Sequence, residues 1–522
     1  MSLFVRLRRG LTRGAPRKPL LRRATTSGLF VLAAAAATLP QRSLGAQNTE
    51  KYPADSSGPL AVKFKGVTLA FGGFFAGEAL WRQKNMTGDI GSSYNALPFS
   101  GTTQAYMSEW RGSARQSRIS LLATGNAGDV KLSGYYETDF LGAGASSNSN
   151  ESNSYVLRIR QFWGQVNTSG GWNFAFGQMW SLLTTERAGM APRSEWIPLT
   201  IEAQYVPGFN WARQFGLRVW KNLGTTAAVG LALEESQTTF SARNAPTNFV
   251  LGQAGGSLLN PGNNYSTDLA PDLIAKVAFD PMQGQHYEIK AIGRVFRDRI
   301  VMLPDTLGLT RNSMTYGGGL GAAAVWSVFA DDGGHKRDVV DFGVSGLWGS
   351  GVGRYGSSQL PDATIRPDGA IVPILGASAL IGIEAHPHRK LDIYLYGGTD
   401  YDYRTAFYTN AVPPKGVGYG SPLNPLYGCA VEYTPGAGGY APGAPPANTC
   451  NADTKNIWQV GGGFWYKFLQ GSFGTLQWGL QYTYTERVIW SGVDNTVPTP
   501  NQISNLKAIN PMAFTSFRYY LP

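Results

Sequence analysis

The chain has 522 residues, of which only 15% are charged, against 66 Gly, 25 Tyr, 25 Phe and 14 Trp. Gly and aromatics together favour strands and tight turns over helices, and beyond the N-terminal region no run of about 18 apolar residues reads as a membrane-spanning helix. The net charge of +11 does not mark a nucleic-acid binder: nine of the 45 basic residues precede residue 47, where there is no acid, leaving 36 basic against 34 acidic residues and a net of +2, too little for a field that holds phosphate backbones.

The first 46 residues read as a secretory signal peptide. A basic region runs to Arg23, an apolar stretch follows from Gly28 to Leu39, and Gly45-Ala46 precedes Gln47. The apolar stretch is the length of a signal core and too short to span a bilayer. Cleavage is expected after Ala46, with residues 47–65 a short periplasmic segment and 66–522 a transmembrane β-barrel.

Segments of alternating polarity, the signature of barrel strands, recur at 66–81, 115–124, 128–140, 154–167, 171–182, 209–220, 225–235, 271–280, 285–296, 315–326, 338–349, 375–387, 390–401, 455–468, 472–487 and 505–519. That is about sixteen strands. Their connections alternate. Short ones fall at Gly125–Ala127, Thr168–Gly170, Asn222–Gly224, Pro281–Gly284, Asp331–Gly334, Pro387–Arg389 and Gln470–Gly471. Long ones lie between them, at 82–114, 141–153, 183–208, 236–270, 297–314, 350–374, 402–454 and 488–504. Tight periplasmic turns alternating with long external loops are the layout of an outer-membrane barrel. The predicted fold class is therefore all-β, a transmembrane antiparallel barrel in the bacterial outer membrane.

Within 128–140, Val130, Leu132, Gly134, Tyr136, Thr138 and Phe140 share one parity, suited to lipid, while Lys131, Ser133, Tyr135, Glu137 and Asp139 share the other, suited to a wet lumen. In 154–167, Leu157, Ile159 and Trp163 oppose Arg158 and Arg160, and Gln161 breaks the outward row. Trp163, Trp180, Trp220, Trp348 and Tyr401 suit interfacial girdles. Loop 183–208, with Glu186, Arg187, Arg193, Glu195 and Glu202 among Trp196, Pro198 and Tyr205, is the candidate to fold inward and narrow a pore. It could equally stay external.

The two cysteines, Cys429 and Cys450, share a Gly/Pro-rich loop. In an oxidising compartment they read as a disulfide; no nearby His or further Cys supports zinc. His386 and His388 flank Pro387 in an expected turn with too few ligands for a metal. No phosphate loop or hydrolase elbow is present. No cofactor, metal or catalytic residue is expected. The chain ends in an aromatic strand, Phe514 to Tyr520, like the segment read by barrel-assembly machinery, though it closes on Leu521-Pro522.

Four short motifs carry a family likeness: Ser117-Arg118-Ile119; Tyr136 to Gly142; Leu157 to Gly164; and Phe176 to Ser181. In this order they resemble the DcaP-like trimeric porin family. The resemblance implies a homotrimer of sixteen-stranded barrels that passes small anionic solutes such as dicarboxylates. Porins select by the charge and width of a constriction. Arg118, Arg158 and Arg160 occupy inward parities, as do Arg218, Lys290 and Arg294, with Glu137 and Asp139 opposed to them. Guanidinium groups fixed on a barrel wall attract carboxylates, so these residues are candidates for an anion-leaning pore. The alternative is that the charges only neutralise one another. The leading function is a passive channel; an adhesion or structural barrel and an outer-membrane lipase or protease remain as competing readings.

Overall fold

The computed structural model describes residues 60–142, 156–251, 269–302, 304–332, 335–433, 449–494, 501–504 and 506–522. The leader, residues 1–46, lies outside these. Sixteen antiparallel strands form the wall. They are β1 (Val67–Arg82), β2 (Arg118–Ala127), β3 (Val130–Asp139), β4 (Arg158–Asn167), β5 (Trp172–Trp180), β6 (Arg213–Leu223), β7 (Ala227–Glu234) and β8 (Asp272–Phe279). The rest are β9 (Gln285–Ile300), β10 (Arg311–Asp332), β11 (His335–Ser350), β12 (Leu375–His388), β13 (Leu391–Asp402), β14 (Thr454–Gly471), β15 (Gly474–Ile489) and β16 (Lys507–Tyr520). Each pairs with its successor in sequence, and β16 returns to β1 over Phe74↔Tyr520 to Arg82↔Met512. The sheet is closed, so it has no open edge, the one way a sheet can satisfy its backbone in hydrocarbon.

Burial is inverted relative to a water-soluble protein. Along β8, Leu273, Val277 and Phe279 are about half exposed while Ile274 and Lys276 are buried. Along β9, Ile289 faces out, while His286, Glu288, Lys290 and Arg294 are buried on the other parity. Apolar side chains thus cover the outside and charged ones the inside, the arrangement of a barrel whose solvent is lipid.

All sixteen expected strands are present, and short turns alternate with long connections as read. Some bounds differ. β2 and β3 extend to a turn at Gly128-Asp129 rather than at Gly125–Ala127. β12 continues to His388 through a register shift after Ala385, so His386 is not in a solvated turn; it is buried, with Nδ1 2.6 Å from an Asp392 oxygen. β9 and β10 outrun their expected ends and pair from Gln285↔Trp326 to Ile300↔Arg311.

The parity of 154–167 is corrected by a bulge. Glu137 pairs with Gln161 and Thr138 with Ile159, so Arg160 is an extra residue on β4. A bulge re-aims every side chain beyond it. Arg160 and Gln161 therefore both point inward, Phe162 turns out at 60% exposure, and Trp163 turns in at 5%. Trp163 packs on Tyr135 with ring centroids 5.6 Å apart. Trp180 and Trp220 are likewise buried inside the barrel rather than set in an external girdle, whereas Trp348 is exposed.

Inside the wall sits an apolar core that strands alone do not supply. Residues of the long connections, among them Ile90, Tyr94, Trp196, Ile201 and Leu360, pack against inward side chains such as Leu80, Leu380, Tyr394 and Phe514, while Leu182 and Leu183 join a second cluster with Ile274, Ile292 and Leu347. The Cys429–Cys450 disulfide is formed, with Cα atoms 4.7 Å apart. Cys429 joins this core beside Leu426 and Ala452.

Candidate functional site

The connection from β5 to β6, residues 181–212, turns into the barrel. It first forms a small hairpin: Trp196 donates its backbone N–H to Thr185 at 2.8 Å, and Glu186 bridges Glu195. Left-handed backbone at Gly189, Arg193 and Tyr205 bends the chain back on itself. The segment then touches most of the wall in turn. The Lys276 ammonium donates to Thr184 O at 2.7 Å and Lys290 to Leu183 O at 2.5 Å. Arg187 pairs with Asp341 of β11 at 2.5 Å and Glu384 of β12 at 2.9 Å. Tyr396 of β13 accepts the Leu199 N–H at 2.9 Å, and the Trp465 indole of β14 donates to Leu199 O at 2.8 Å. Gln481 of β15 accepts the Ile201 N–H at 2.5 Å. The loop read as a candidate to fold inward does so.

Trp196 is the anchor of this crossing. It is fully buried, and its indole N–H donates to Glu384 at 3.0 Å. A Cβ on Gly343 or Gly382 would collide with its ring. Two wall strands therefore carry glycine where the indole lies flat against the sheet.

Four motif-bearing strand ends converge beside the loop. Arg160 donates to Glu137 at 2.6 Å and to Asp139 at 3.0 Å; Arg158 pairs with Asp139 at 2.7 Å; Arg118 lies 3.6 Å from Glu137. The structure thus brings together Arg118, Glu137, Asp139, Arg158 and Arg160. Arg118 and Arg158 keep 23% and 32% of their side-chain surface exposed, while Arg160 keeps 4%. Two residues outside the expected set join them. Tyr205 of the inward loop accepts a hydrogen bond from Arg160 at 3.2 Å. Arg213, at the start of β6, stacks 4.5 Å from the Trp180 ring and makes no ion pair among the described residues. Its Nη1 is buried without a hydrogen-bond partner there. Four arginines thus face two carboxylates. Burial would raise the Tyr205 phenol, but Arg160, Arg118 and Arg213 outweigh it and hold the group at about 8. That depression is the mark of a net positive field.

Arg218, Lys290 and Arg294 point inward as their parity requires, yet each is 3% exposed or less. They do not face a water-filled passage. Arg218 donates to Met190 O and Trp180 O, and Lys290 pairs with Glu288. Arg294 pairs with Asp272 and Asp362, the latter in the connection between β11 and β12. The inward-folded connections cover them, which strand parity alone does not reveal. Asp338, Asp341 and His386 bring ligand-type atoms within 4.8 Å of one another. Asp341 already accepts from Ser327 and Arg187, and His386 is paired with Asp392. The trio is part of the ion-pair network.

A closed sixteen-stranded antiparallel barrel with an apolar outside, a charged inside and a long connection folded across its lumen has the architecture of outer-membrane porins. The DcaP outer membrane channel of Acinetobacter baumannii is similar over 88% of this chain and 99% of that one, at TM-score 0.56 and 16% identity. The anion-selective porin from Comamonas acidovorans matches 87% of this chain and 100% of that one, at TM-score 0.43 and 12% identity. OmpT of Vibrio cholerae matches 88% and 99%, at TM-score 0.41 and 10% identity. The chain therefore shares the fold of the DcaP channel. No family model and no curated protein sequence matches it.

Proposed function

We propose that this chain is an outer-membrane porin, a passive channel for small polar solutes that favours anions, and not an enzyme. The observation that carries the reading is the cluster beside the inward loop, where Arg118, Arg158, Arg160 and Arg213 outnumber Glu137 and Asp139. Two of these arginines are partly exposed. A fixed excess of guanidinium groups in a narrow, low-dielectric passage raises the local concentration of anions and can grip a carboxylate with paired N–H groups. Dicarboxylates suit such a site because two carboxylates can engage separate arginines. The DcaP-like motifs lie on the strands that build the cluster, which supports carrying over the trimeric state and the anionic substrate class. Arg218, Lys290 and Arg294 then act as anchors of the inward connections. Residues 1–46 serve as a cleaved leader, and the terminal aromatic strand as the signal for barrel assembly in the outer membrane.

Reconstitution into planar bilayers tests this. The wild-type protein should give discrete conductance steps, and succinate should reduce the chloride current through it. The double variant Arg118→Gln, Arg158→Gln should lose both the succinate block and the anion preference. Conductance that is indifferent to succinate and unchanged by the variant contradicts the proposal, and absence of conductance from a correctly folded barrel favours an adhesion role.

A further inference from the structure

At the long-loop end of β13 a small, partly open cavity, about 10 Å³ in volume, is walled by Gly353, Gly356 and Leu360 of the connection after β11, by Ser378 of β12, and by Asp400 and Asp402. That is room for about one water-sized particle. Asp400 is 3% exposed and Asp402 1%. Asp402 Oδ2 is buried and meets no hydrogen-bond donor among the described residues; Asp400 Oδ1 has none at full hydrogen-bond geometry, with the Ser358 hydroxyl and the Gly208 N–H its neighbouring donors. Asp400 Oδ2 accepts the Ser358 N–H at 3.0 Å. A Cβ on Gly356 would collide with the Asp400 carboxylate, so glycine is what lets the carboxylate close one side of the cavity. Neither aspartate has an ion-pair partner among the described residues; Arg294 and Arg354 pair with Asp272 and Asp362 instead.

Two carboxylates held out of water without a base cannot both keep their charge; protons or a cation must neutralise them. The two same-face carboxylates of one strand, the free oxygens and the single-particle cavity together point to a cation. We propose that Asp400 and Asp402 form a binding site for one divalent cation of the calcium type. All the side-chain donors are oxygen, which excludes a preference for zinc. Magnesium demands near-regular octahedral geometry, whereas calcium accepts an irregular set of carboxylate, hydroxyl and carbonyl oxygens such as these walls offer. A bound ion would tie β13 to the connection after β11 and to the start of β12.

The test uses the full-length protein refolded in detergent at pH 7.5. Equilibrium dialysis with radioactive calcium should give one ion per chain, displaced by excess unlabelled calcium far better than by magnesium. Calcium should raise the unfolding temperature above that in chelator, and magnesium should not. The double variant Asp400→Asn, Asp402→Asn, once shown to be a heat-modifiable barrel on gels, should bind no calcium and unfold at the same temperature in both media. Equal wild-type unfolding temperatures in calcium and chelator would mean that protons alone neutralise the pair, and would overturn the proposal; this comparison needs no variant. Undiminished calcium binding by the folded variant would overturn it as well.

Discussion

At the residue scale, the arginine cluster and the Trp196 anchor are separable by substitution. Tyr205 sits at about 8 because surrounding guanidinium groups stabilise its phenolate. As pH rises through that value, a negative charge appears beside Arg160 and cancels part of the cluster's excess. Anion preference should therefore fall between pH 7 and pH 9, and Tyr205→Phe should abolish that change while keeping the preference seen at pH 7; reversal potentials across the range check it. Trp196 fills a seat that only glycine at 343 and 382 permits. Trp196→Ala should destabilise the inward loop by about 3–5 kcal/mol through the cavity it leaves, read as a lower unfolding temperature and a larger, noisier conductance. Arg118, Arg158 and Arg160 were legible from inward parity. Arg213 and Tyr205 were not, because their place in the cluster depends on a turn and a loop that fold back in three dimensions. Trp163 was misplaced for a local reason: one extra residue at Arg160 reverses parity, and strict alternation cannot register it.

At the scale of elements, the connection 181–212 is held both by apolar packing of Leu182, Leu183, Trp196 and Ile201 and by ion pairs. Arg187 bridges two buried wall carboxylates. Arg187→Ala leaves Asp341 and Glu384 without that base, a loss of about 3–5 kcal/mol, so its unfolding temperature should fall well below that of Arg187→Ala with Glu384→Gln. The hairpin within the connection carries a pH dependence of its own. Burial, reinforced by neighbouring Glu186, raises Glu195 from 4.5 to about 8. A raised carboxyl contributes stability that is complete below 4.5 and is lost as pH climbs through 8. Protease accessibility of the loop should increase from pH 5 to pH 8, and Glu195→Gln should flatten the profile; a loop equally protected at both pH values contradicts the assignment. The Cys429–Cys450 bridge spans 21 positions, so its reduction should cost about 3 kcal/mol by loop entropy, confined to the connection it closes. The sixteen strands, the alternation of connections and the disulfide were readable because each is a local pattern. The burial of Arg218, Lys290 and Arg294 was not, since only the folded connections decide which lumen charges meet water.

At the scale of the whole molecule, an apolar exterior and a charged interior are two parities of the same strands, closed by β16 against β1. The barrel is closed, and the connection 181–212 crosses its interior beside the arginine cluster. Residues 47–522 are close to neutral, with 36 basic and 34 acidic residues, so the proposed anion preference rests on placement rather than bulk charge. The reversal potential of wild-type channels in a planar bilayer under a tenfold potassium chloride gradient at pH 7 tests this most directly. The account expects a potential with the sign of chloride selectivity, moving toward zero with Arg118→Gln, Arg158→Gln. A potential with the sign of potassium selectivity, or one that the variant leaves unchanged, would contradict it.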